Sequence, residues 1–230
     1  MNLKILTELD RILKNNPALK TDRHAFCQVI NGIFDIDLKK IDYSSNGHGS
    51  MPELSTQIDK ACLHRYFSEV WQPETKKFKY SGLAIIDEVN NLNPDNVIDI
   101  GCGYNEFKGK IKNLVGIDPY NDKADIMVHI LDYKADIEYD VAICLGSINF
   151  GSSDKILSEL QAVVGMVKDN GFLYFRVNPG IQHNRPAAKW INFYDWDPVF
   201  ISNAAKYLNC EVLILRQDDN DRLYFVLRKK

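Results

Sequence analysis

The feature that most constrains the fold of this chain is a short apolar run that ends in two closely spaced glycines, Val97-Ile98-Asp99-Ile100-Gly101-Cys102-Gly103. A continuous apolar run of this length is typical of a strand that is buried on both faces, as strands are in parallel sheets. We therefore predict a buried strand that leads into a tight turn and then into a helix. In open α/β sheets such a turn lies at the carboxyl end of the strand, where its backbone N–H groups face a ligand.

Downstream of this turn, strand-like runs alternate with helices or short connections. The helix predicted from Ser153 to Lys168 is the clearest, because its apolar residues recur at helical spacing and Asn170-Gly171 can end it. Alternation of this kind predicts a largely parallel sheet with covered faces. The last two runs are separated by only four residues, which predicts an antiparallel hairpin because a parallel crossover needs about a dozen. The predicted strands after the opening one are 114–118, 126–131, 139–146, 171–178, 210–217 and 222–228.

The N-terminal third of the chain is predicted to be helical. Apolar residues recur at helical spacing from Leu3 to Leu13 and from Leu54 to Val70, and a short helix is predicted from Asp22 to about Ile30. Turn-forming residues cluster at 43–50, where we predict a loop. The apolar stripes of these helices need a surface to pack on. We therefore predict that residues 1–75 are a helical extension, or cap, of one α/β domain at 76–230.

Composition and charge limit the classes of partner. The formal net charge of −3 over 230 residues provides no global attraction to nucleic acid or to an anionic membrane. No apolar run approaches membrane-spanning length, and acidic residues interrupt the N-terminal sequence, so we expect neither a signal peptide nor membrane association. The five cysteines are scattered without a C-x-x-C pair, which predicts neither a disulfide framework nor a metal site and favours the cytoplasm.

Polar residues follow the first three predicted strands, where α/β sheets bind ligands. The glycines of the first turn lack side chains and let a ligand approach the backbone closely. Asp118 ends the next strand, where acidic residues accept hydrogen bonds from ribose hydroxyls in nucleotide-binding folds. Asp132 and Tyr133 follow the third strand, where a carboxylate and a ring are suited to bind and stack on a purine.

Together with the C-terminal hairpin, these features resemble the class I S-adenosylmethionine-dependent methyltransferases over about residues 80–230. In that resemblance, 97–103 is the first family motif, Asp118 is the ribose-binding acid and Asp132 is the adenine-contacting residue. It implies a three-layer, Rossmann-like α/β fold with seven mostly parallel strands, and S-adenosyl-L-methionine as the cofactor of a methyl transfer. The cofactor-binding residues that it implies are Asp99, Gly101, Cys102, Gly103, Asp118, Pro119, Asp132, Tyr133, Leu145 and Gly146.

Two positions depart from the family pattern. Asn105 stands where the family has a third glycine, although asparagine tolerates the left-handed backbone better than most residues. The connection at 119–125 is short for the helix that usually lies between the second and third strands. We expect a loop or a single turn there, which leaves the adenosine edge of the site more exposed.

The methyl acceptor is expected to bind at the loops after the fourth and fifth strands. We predict substrate contacts from Asn149, Trp190 and Tyr194, although these aromatic residues can equally bury the N-terminal helices. His183 is the candidate general base, since the unperturbed pKa of histidine lies near neutrality; a loop histidine is more often only solvated. Residues 149–151 do not match the signature of the family's amino-methylating DNA enzymes. A small-molecule acceptor is therefore favoured, without excluding nucleic acid.

The predicted function is methyl transfer from S-adenosylmethionine to an unidentified acceptor, and two alternatives stay open. A catalytically silent subunit that binds the cofactor or a partner is compatible with Asn105 and the short connection. A nicotinamide-dependent oxidoreductase is compatible with the glycine turn, but its G-x-G-x-x-G fingerprint needs glycine where Glu106 stands. The sequence identifies neither the acceptor nor the oligomeric state.

Overall fold

The computed structural model describes residues 2–41, 51–71, 82–179, 186–218 and 221–230. These residues form two compact units. The helical unit comprises the described residues up to 71 together with 186–192, and the α/β unit comprises the remainder. The predicted loop at 43–50 and the predicted boundary at residue 75 lie outside the described residues.

The described part of the helical unit contains three α-helices: α1 (Leu3–Asn15), α2 (Arg23–Phe34) and α3 (Met51–Arg65). The side chain of Asn2 caps α1, and the side chain of Asp22 caps α2 by accepting a hydrogen bond from the Ala25 N–H. The three predicted helices are thus confirmed. Their apolar stripes meet in one buried core that includes Ile5, Leu9, Phe26, Ile30, Leu54 and Ile58.

The α/β unit contains six strands within the described residues. They are β1 (Val97–Ile100), β2 (Leu114–Ile117), β3 (Tyr139–Leu145), β4 (Val167–Val177), β5 (Cys210–Gln217) and β6 (Leu223–Lys229). They form one sheet in the order β2-β1-β3-β4-β6-β5. Strands β1 to β4 are parallel, and β6 is antiparallel to both β4 and β5. The predicted parallel sheet with an antiparallel C-terminal hairpin is therefore confirmed.

Helices cover both faces of this sheet: α4 (Ile86–Asn91), α5 (Ser153–Met166) and α6 (Pro198–Tyr207). Alternate side chains of β4 enter different cores, because successive residues of a strand point to opposite faces. Phe175 packs in the core that contains residues of α5 and α6, whereas Tyr174 packs in the core that contains Val89 of α4. The faces are covered, as the apolar runs predicted.

The prediction of seven strands is wrong, because the segment 126–131 does not form a strand. It pairs with the sheet only at Ile126, through an isolated bridge to Ile117. Strand β2 ends at Ile117, so the residues that would pair with 127 onward belong to the turn that begins at Asp118. Three large apolar side chains of the segment are accordingly exposed: Ile126, Met127 and Leu131.

The helix predicted after the glycine turn is also absent, since residues 101–113 form consecutive turns. Five of these residues have a positive φ: Gly101, Gly103, Asn105, Gly109 and Asn113. An α-helix needs an unbroken run of right-handed backbone, which these residues interrupt. The connection at 119–125 contains no helix, as expected from its length.

Candidate functional site

The glycine turn is anchored to the end of the neighbouring strand β2. The backbone N–H groups of Gly101 and Cys102 both donate to the Ile117 carbonyl oxygen, at 2.8 and 3.0 Å. Asp118 is the next residue after this carbonyl group. The predicted cofactor residues of the first two strands therefore lie together at the carboxyl ends of β1 and β2, which is where ligands bind in open α/β sheets.

The carboxylate of Asp118 connects the two turns. Its Oδ2 accepts a hydrogen bond from the Gly103 N–H at 3.0 Å, and its Oδ1 accepts from the N–H groups of Tyr120 and Asn121 at 2.7 and 2.9 Å. The residue is 7% exposed. Each carboxylate oxygen has two acceptor lone pairs, so Oδ2 can accept a further hydrogen bond from a ligand hydroxyl group. Asp118 fixes the shape of the glycine turn and can also meet a ligand there.

Asp99 is a buried acid at the same end of the sheet. It is 3% exposed, and burial raises the pKa of its carboxyl group to about 8, with a further contribution from the negative charge of Asp118. A buried carboxylate that is close to another carboxylate is costly to ionise, and a nearby cation relieves this cost. The pair therefore favours a positively charged ligand group.

Cys102 is a packed thiol within the glycine turn. Its Sγ lies 2.9 Å from the position that a Cβ would take at Gly116 of β2, so the strand needs glycine at this point. Burial is the main cause that raises the pKa of this thiol well above its usual range, followed by the charge of Asp99. Because the thiolate is the nucleophilic form of cysteine, this environment makes Cys102 an inert packing residue.

Asn105 links the glycine turn to the short connection after β2. Its φ of 55° is left-handed, and its Nδ2 donates to the Lys123 carbonyl oxygen at 3.1 Å. Asp125 completes the link, since its Oδ2 accepts from the Gly116 N–H at 2.8 Å and from Lys108 Nζ at 2.9 Å. The two departures from the family pattern are thus one structural feature, in which Asn105 helps to hold the short connection. Sequence analysis missed Gly116 and Asp125, which carry no motif.

The loop after β3 lies directly against the glycine turn. A Cβ added at Gly101 would lie 2.3 Å from Ser147 Cβ, and Gly101 has a φ of 67°. Only glycine fits there, because both the backbone conformation and the space exclude a side chain. The structure therefore brings the predicted residues Leu145 and Gly146, which directly precede Ser147, to the same site.

Asp132 and Tyr133 are placed differently. Asp132 is exposed, and its role in adenine binding stays a prediction. The Tyr133 ring packs on the core, and its hydroxyl group is hydrogen-bonded at 2.7 Å to the hydroxyl of Tyr139, the first residue of β3. This contact directs Tyr133 toward the amino end of β3 rather than toward the glycine turn, which follows the carboxyl end of β1.

Helix α5 holds two loops of the site through side chains that the sequence did not single out. The buried Glu159 accepts from Lys155 Nζ at 2.8 Å and contacts His129 Nε2 at 3.3 Å, both through Oε1. Lys155 Nζ also donates to the Phe150 carbonyl oxygen at 3.0 Å, and His129 Nδ1 accepts from the Leu131 N–H at 3.2 Å. The turn before Asp132 and the loop after β3 are therefore tied to the same helix.

The predicted acceptor residues fall in different units. Asn149 is 1% exposed; its Oδ1 accepts from the Asn178 N–H at 3.1 Å, and its carbonyl oxygen accepts from the Tyr194 N–H at 2.8 Å. Asn149 and Tyr194 are thus joined at the carboxyl ends of β3 and β4. Trp190 instead belongs to the helical unit, where its ring centroid lies 4.6 Å from that of Phe34. This packing supports the alternative that Trp190 buries the N-terminal helices. His183 lies outside the described residues.

The described ranges contain neither a metal-binding cluster nor a membrane-spanning helix. No group of three or more histidine, cysteine, aspartate or glutamate residues there could hold a metal ion. In the same ranges, no helix has the length and apolar character needed to cross a membrane.

Comparisons with known proteins give structural likeness only. No protein-family model and no curated protein matches the sequence. The N-methyltransferase NodS from Bradyrhizobium japonicum WM9, solved with S-adenosylhomocysteine, is 14% identical with a TM-score of 0.54, over 73% of this chain and 96% of that one. A 1,6-didemethyltoxoflavin-N1-methyltransferase from Burkholderia thailandensis is 12% identical with a TM-score of 0.58, over 74% and 88% of the two chains. The magnesium protoporphyrin IX methyltransferase from Synechocystis PCC 6803, solved with S-adenosylmethionine, is 11% identical with a TM-score of 0.55, over 75% and 97%. The chain thus has the Rossmann-like fold of class I methyltransferases.

Proposed function

We propose that this protein is an S-adenosylmethionine-dependent methyltransferase that acts on a small-molecule acceptor. The observation that carries the proposal is the hydrogen bond between Asp118 Oδ2 and the Gly103 N–H, at 3.0 Å. It joins the glycine turn and the acidic residue at the carboxyl ends of adjacent strands. The three solved structures compared above are methyltransferases, each with bound S-adenosylmethionine or S-adenosylhomocysteine.

The residues at this end of the sheet suit the cofactor in charge and in shape. S-adenosylmethionine carries an ammonium and a sulfonium group, and the buried acids Asp99 and Asp118 favour positive charge. Asp118 has remaining acceptor capacity for ribose hydroxyls. Ser147 packs so closely on Gly101 that a Cβ there would clash with it, and this contact holds the glycine turn against the loop after β3. Pro119, Asp132, Leu145 and Gly146 are further proposed contacts, and Cys102 lies within the turn.

The bound cofactor would supply an electrophilic methyl group. The chain's own part is then to hold the two reactants in line and to keep water away, and such positioning can lower the reaction barrier considerably. Asp99 and Asp118 orient the cofactor end, and Asn149 and Tyr194 are proposed to contact the acceptor. For an acceptor that must lose a proton, we propose His183 as the base.

A small-molecule acceptor is supported by two observations. The net charge of −3 provides no global attraction to nucleic acid. Two of the similar solved structures are named for acceptors that are small molecules, a didemethyltoxoflavin and a magnesium protoporphyrin IX.

We also propose a cytoplasmic location. The thiols of all five cysteines are free, which is compatible with a reducing compartment.

A catalytically silent cofactor-binding subunit is the second candidate. Two observations favour it. Residues 101–113, which are all described, form no helix after the glycine turn. Tyr133 is directed to the amino end of β3, away from the proposed cofactor site. The absence of that helix also removes support for a nicotinamide enzyme, whose pyrophosphate binds at a helix N-terminus.

Calorimetric titration with S-adenosylmethionine and with NAD tests the cofactor. We expect the former to bind and the latter not to bind; the reverse result would end the proposal. Incubation with methyl-labelled cofactor and a cell-extract metabolite pool then separates enzyme from silent binder. We expect label in a small-molecule fraction, and tight binding without any labelled product would favour the silent subunit.

A further inference from the structure

A buried ion pair lies at the carboxyl end of β4. Arg176 is the second-last residue of β4, and its Nε donates to Asp218 Oδ2 at 2.5 Å. Both side chains are almost completely buried, at 5% and 0% exposure. The other oxygen of Asp218 accepts from the Arg222 N–H at 3.0 Å, just before β6 begins. One carboxylate therefore connects two arginine residues at the carboxyl ends of the parallel strands.

Arg176 has more donors than this ion pair uses. Its Nη2 is buried and has no hydrogen-bond partner among the described residues. A guanidinium group that is buried with an unused donor is costly, and the buried polar groups of folded proteins are usually satisfied. An acceptor atom of a ligand would satisfy this donor.

Arg222 brings a second guanidinium group to the loop after β3. Its Nη1 lies 4.0 Å from the position that a Cβ would take at Gly146, and Asn149 Nδ2 lies 3.9 Å from the same position. Gly146 has a φ of 95°, a backbone conformation that favours glycine, so no side chain fills the space at this position. Arg222 is half-buried.

These arginine residues lie across the sheet from the acidic pair. Asp99 is on β1 and Arg176 is on β4, which is two strands away, and β6 is one strand further. Neighbouring strands are about 4.8 Å apart, so the acidic and basic ends are separated by roughly 10–14 Å, with the loop after β3 between them. A ligand at the basic end would therefore lie beside the proposed cofactor rather than in its place.

We propose that the methyl acceptor carries an anionic group, a carboxylate or a phosphate, that Arg222 and Arg176 bind at the carboxyl ends of β4 and β6. This inference rests on the proposed methyltransferase function. Guanidinium groups bind both anions through paired, charge-assisted hydrogen bonds. A neutral acceptor can at most accept an ordinary hydrogen bond from these groups, without the charge assistance that an anion provides, so the site should bind it more weakly.

The test uses simple anions as probes on the full chain, with and without saturating S-adenosylhomocysteine. Benzoate represents a carboxylate and phenyl phosphate represents a phosphate, while benzamide is the neutral counterpart of benzoate. Binding of each probe is measured by calorimetry for the wild type, for Arg222→Gln and for the matched control Arg228→Gln. Arg228 is also on β6, near its other end, and pairs with Glu211. Arg176 is left intact, because its loss would strand the buried Asp218.

We expect at least one anionic probe to bind at least tenfold more tightly than benzamide. Arg222→Gln should weaken that probe tenfold or more, whereas Arg228→Gln and the affinity for S-adenosylhomocysteine should change less than twofold. Preference for benzoate or for phenyl phosphate identifies the anion. Equal binding of benzoate and benzamide, no probe binding at millimolar concentration, or unchanged binding by Arg222→Gln would each overturn the inference. Failure of S-adenosylhomocysteine to bind would instead reject the proposed function, and the titration without it would still test the anion site.

Discussion

The buried Asp99 provides a test in which protein stability and cofactor affinity change in opposite directions. We consider Asp99→Asn, which keeps the size of the side chain and removes its charge. The ordinary pKa of this group is 3.8, and burial together with Asp118 raises it to about 8 in the folded protein. The folded state therefore binds a proton that the unfolded state releases between these values, so wild-type stability falls as pH rises through this window.

The size of the effect follows from the two pKa values. Each unit of difference corresponds to about 1.4 kcal/mol, so between pH 4 and pH 7 the wild type loses on the order of 4 kcal/mol through this one group. Asparagine does not titrate, and the variant avoids this loss. We expect wild type and Asp99→Asn to be similarly stable near pH 4, and the variant to be more stable by up to that amount at pH 7.

Cofactor binding should respond in the other direction. A cationic ligand favours the ionised carboxylate, so the wild type must release a proton from Asp99 when it binds S-adenosylmethionine below pH 8. We expect wild-type affinity to rise by up to tenfold per pH unit toward pH 8 and then to level off, and Asp99→Asn to bind more weakly without this dependence.

Urea denaturation at several pH values measures the stability difference, and calorimetry in buffers of different ionisation enthalpy counts the released protons. A stability difference that is constant from pH 4 to pH 8 would refute the raised pKa of Asp99. Cofactor affinity that is independent of pH, with no proton released, would refute its interaction with the cationic ligand.

Substitutions at three further positions, each with a control variant, test the site. Asp118→Ala should weaken S-adenosylmethionine binding by about 1–3 kcal/mol in calorimetry, because a hydrogen-bond acceptor for the ribose is lost; the exposed Asp122→Ala is the control, and equal affinities would contradict the ribose role. Gly101→Ala should cost about 2–5 kcal/mol of stability in thermal unfolding, since its φ is 67° and Ser147 Cβ would lie 2.3 Å away. Gly165→Ala in α5 has nothing within 4 Å and should instead gain about 0.5–1 kcal/mol, so similar effects at the two glycines would disprove the close approach. Glu159→Leu should weaken cofactor binding more than Glu159→Gln, which keeps an acceptor for Lys155 and His129; identical affinities would show that α5 does not position the loops.

The features that the sequence alone determined are those set by residues close together in the chain. The apolar run at 97–100 and the glycines that follow it specify a buried strand and a tight turn. The cap and first-turn pair Asp197-Pro198 begins a helix, and the five-residue link at 218–222 between β5 and β6 permits only a hairpin. Backbone conformation, capping and alternation act over a few residues, so local patterns are sufficient to predict them.

Other features depended on partners distant in the chain. Arg176 and Asp218 are 42 residues apart, and neither has a local signal for its burial in an ion pair. The segment 126–131 does not form a strand, because β2 ends at Ile117 and offers no further residues to pair with. The apolar pattern of the segment does not contain this information. Asn105 departs from the family pattern of the glycine turn, and its hydrogen-bond partner, the carbonyl group of Lys123, is provided only by the tertiary structure. Whether a polar or aromatic side chain is satisfied, exposed or buried is decided by tertiary packing, because its partners come from other elements of the fold.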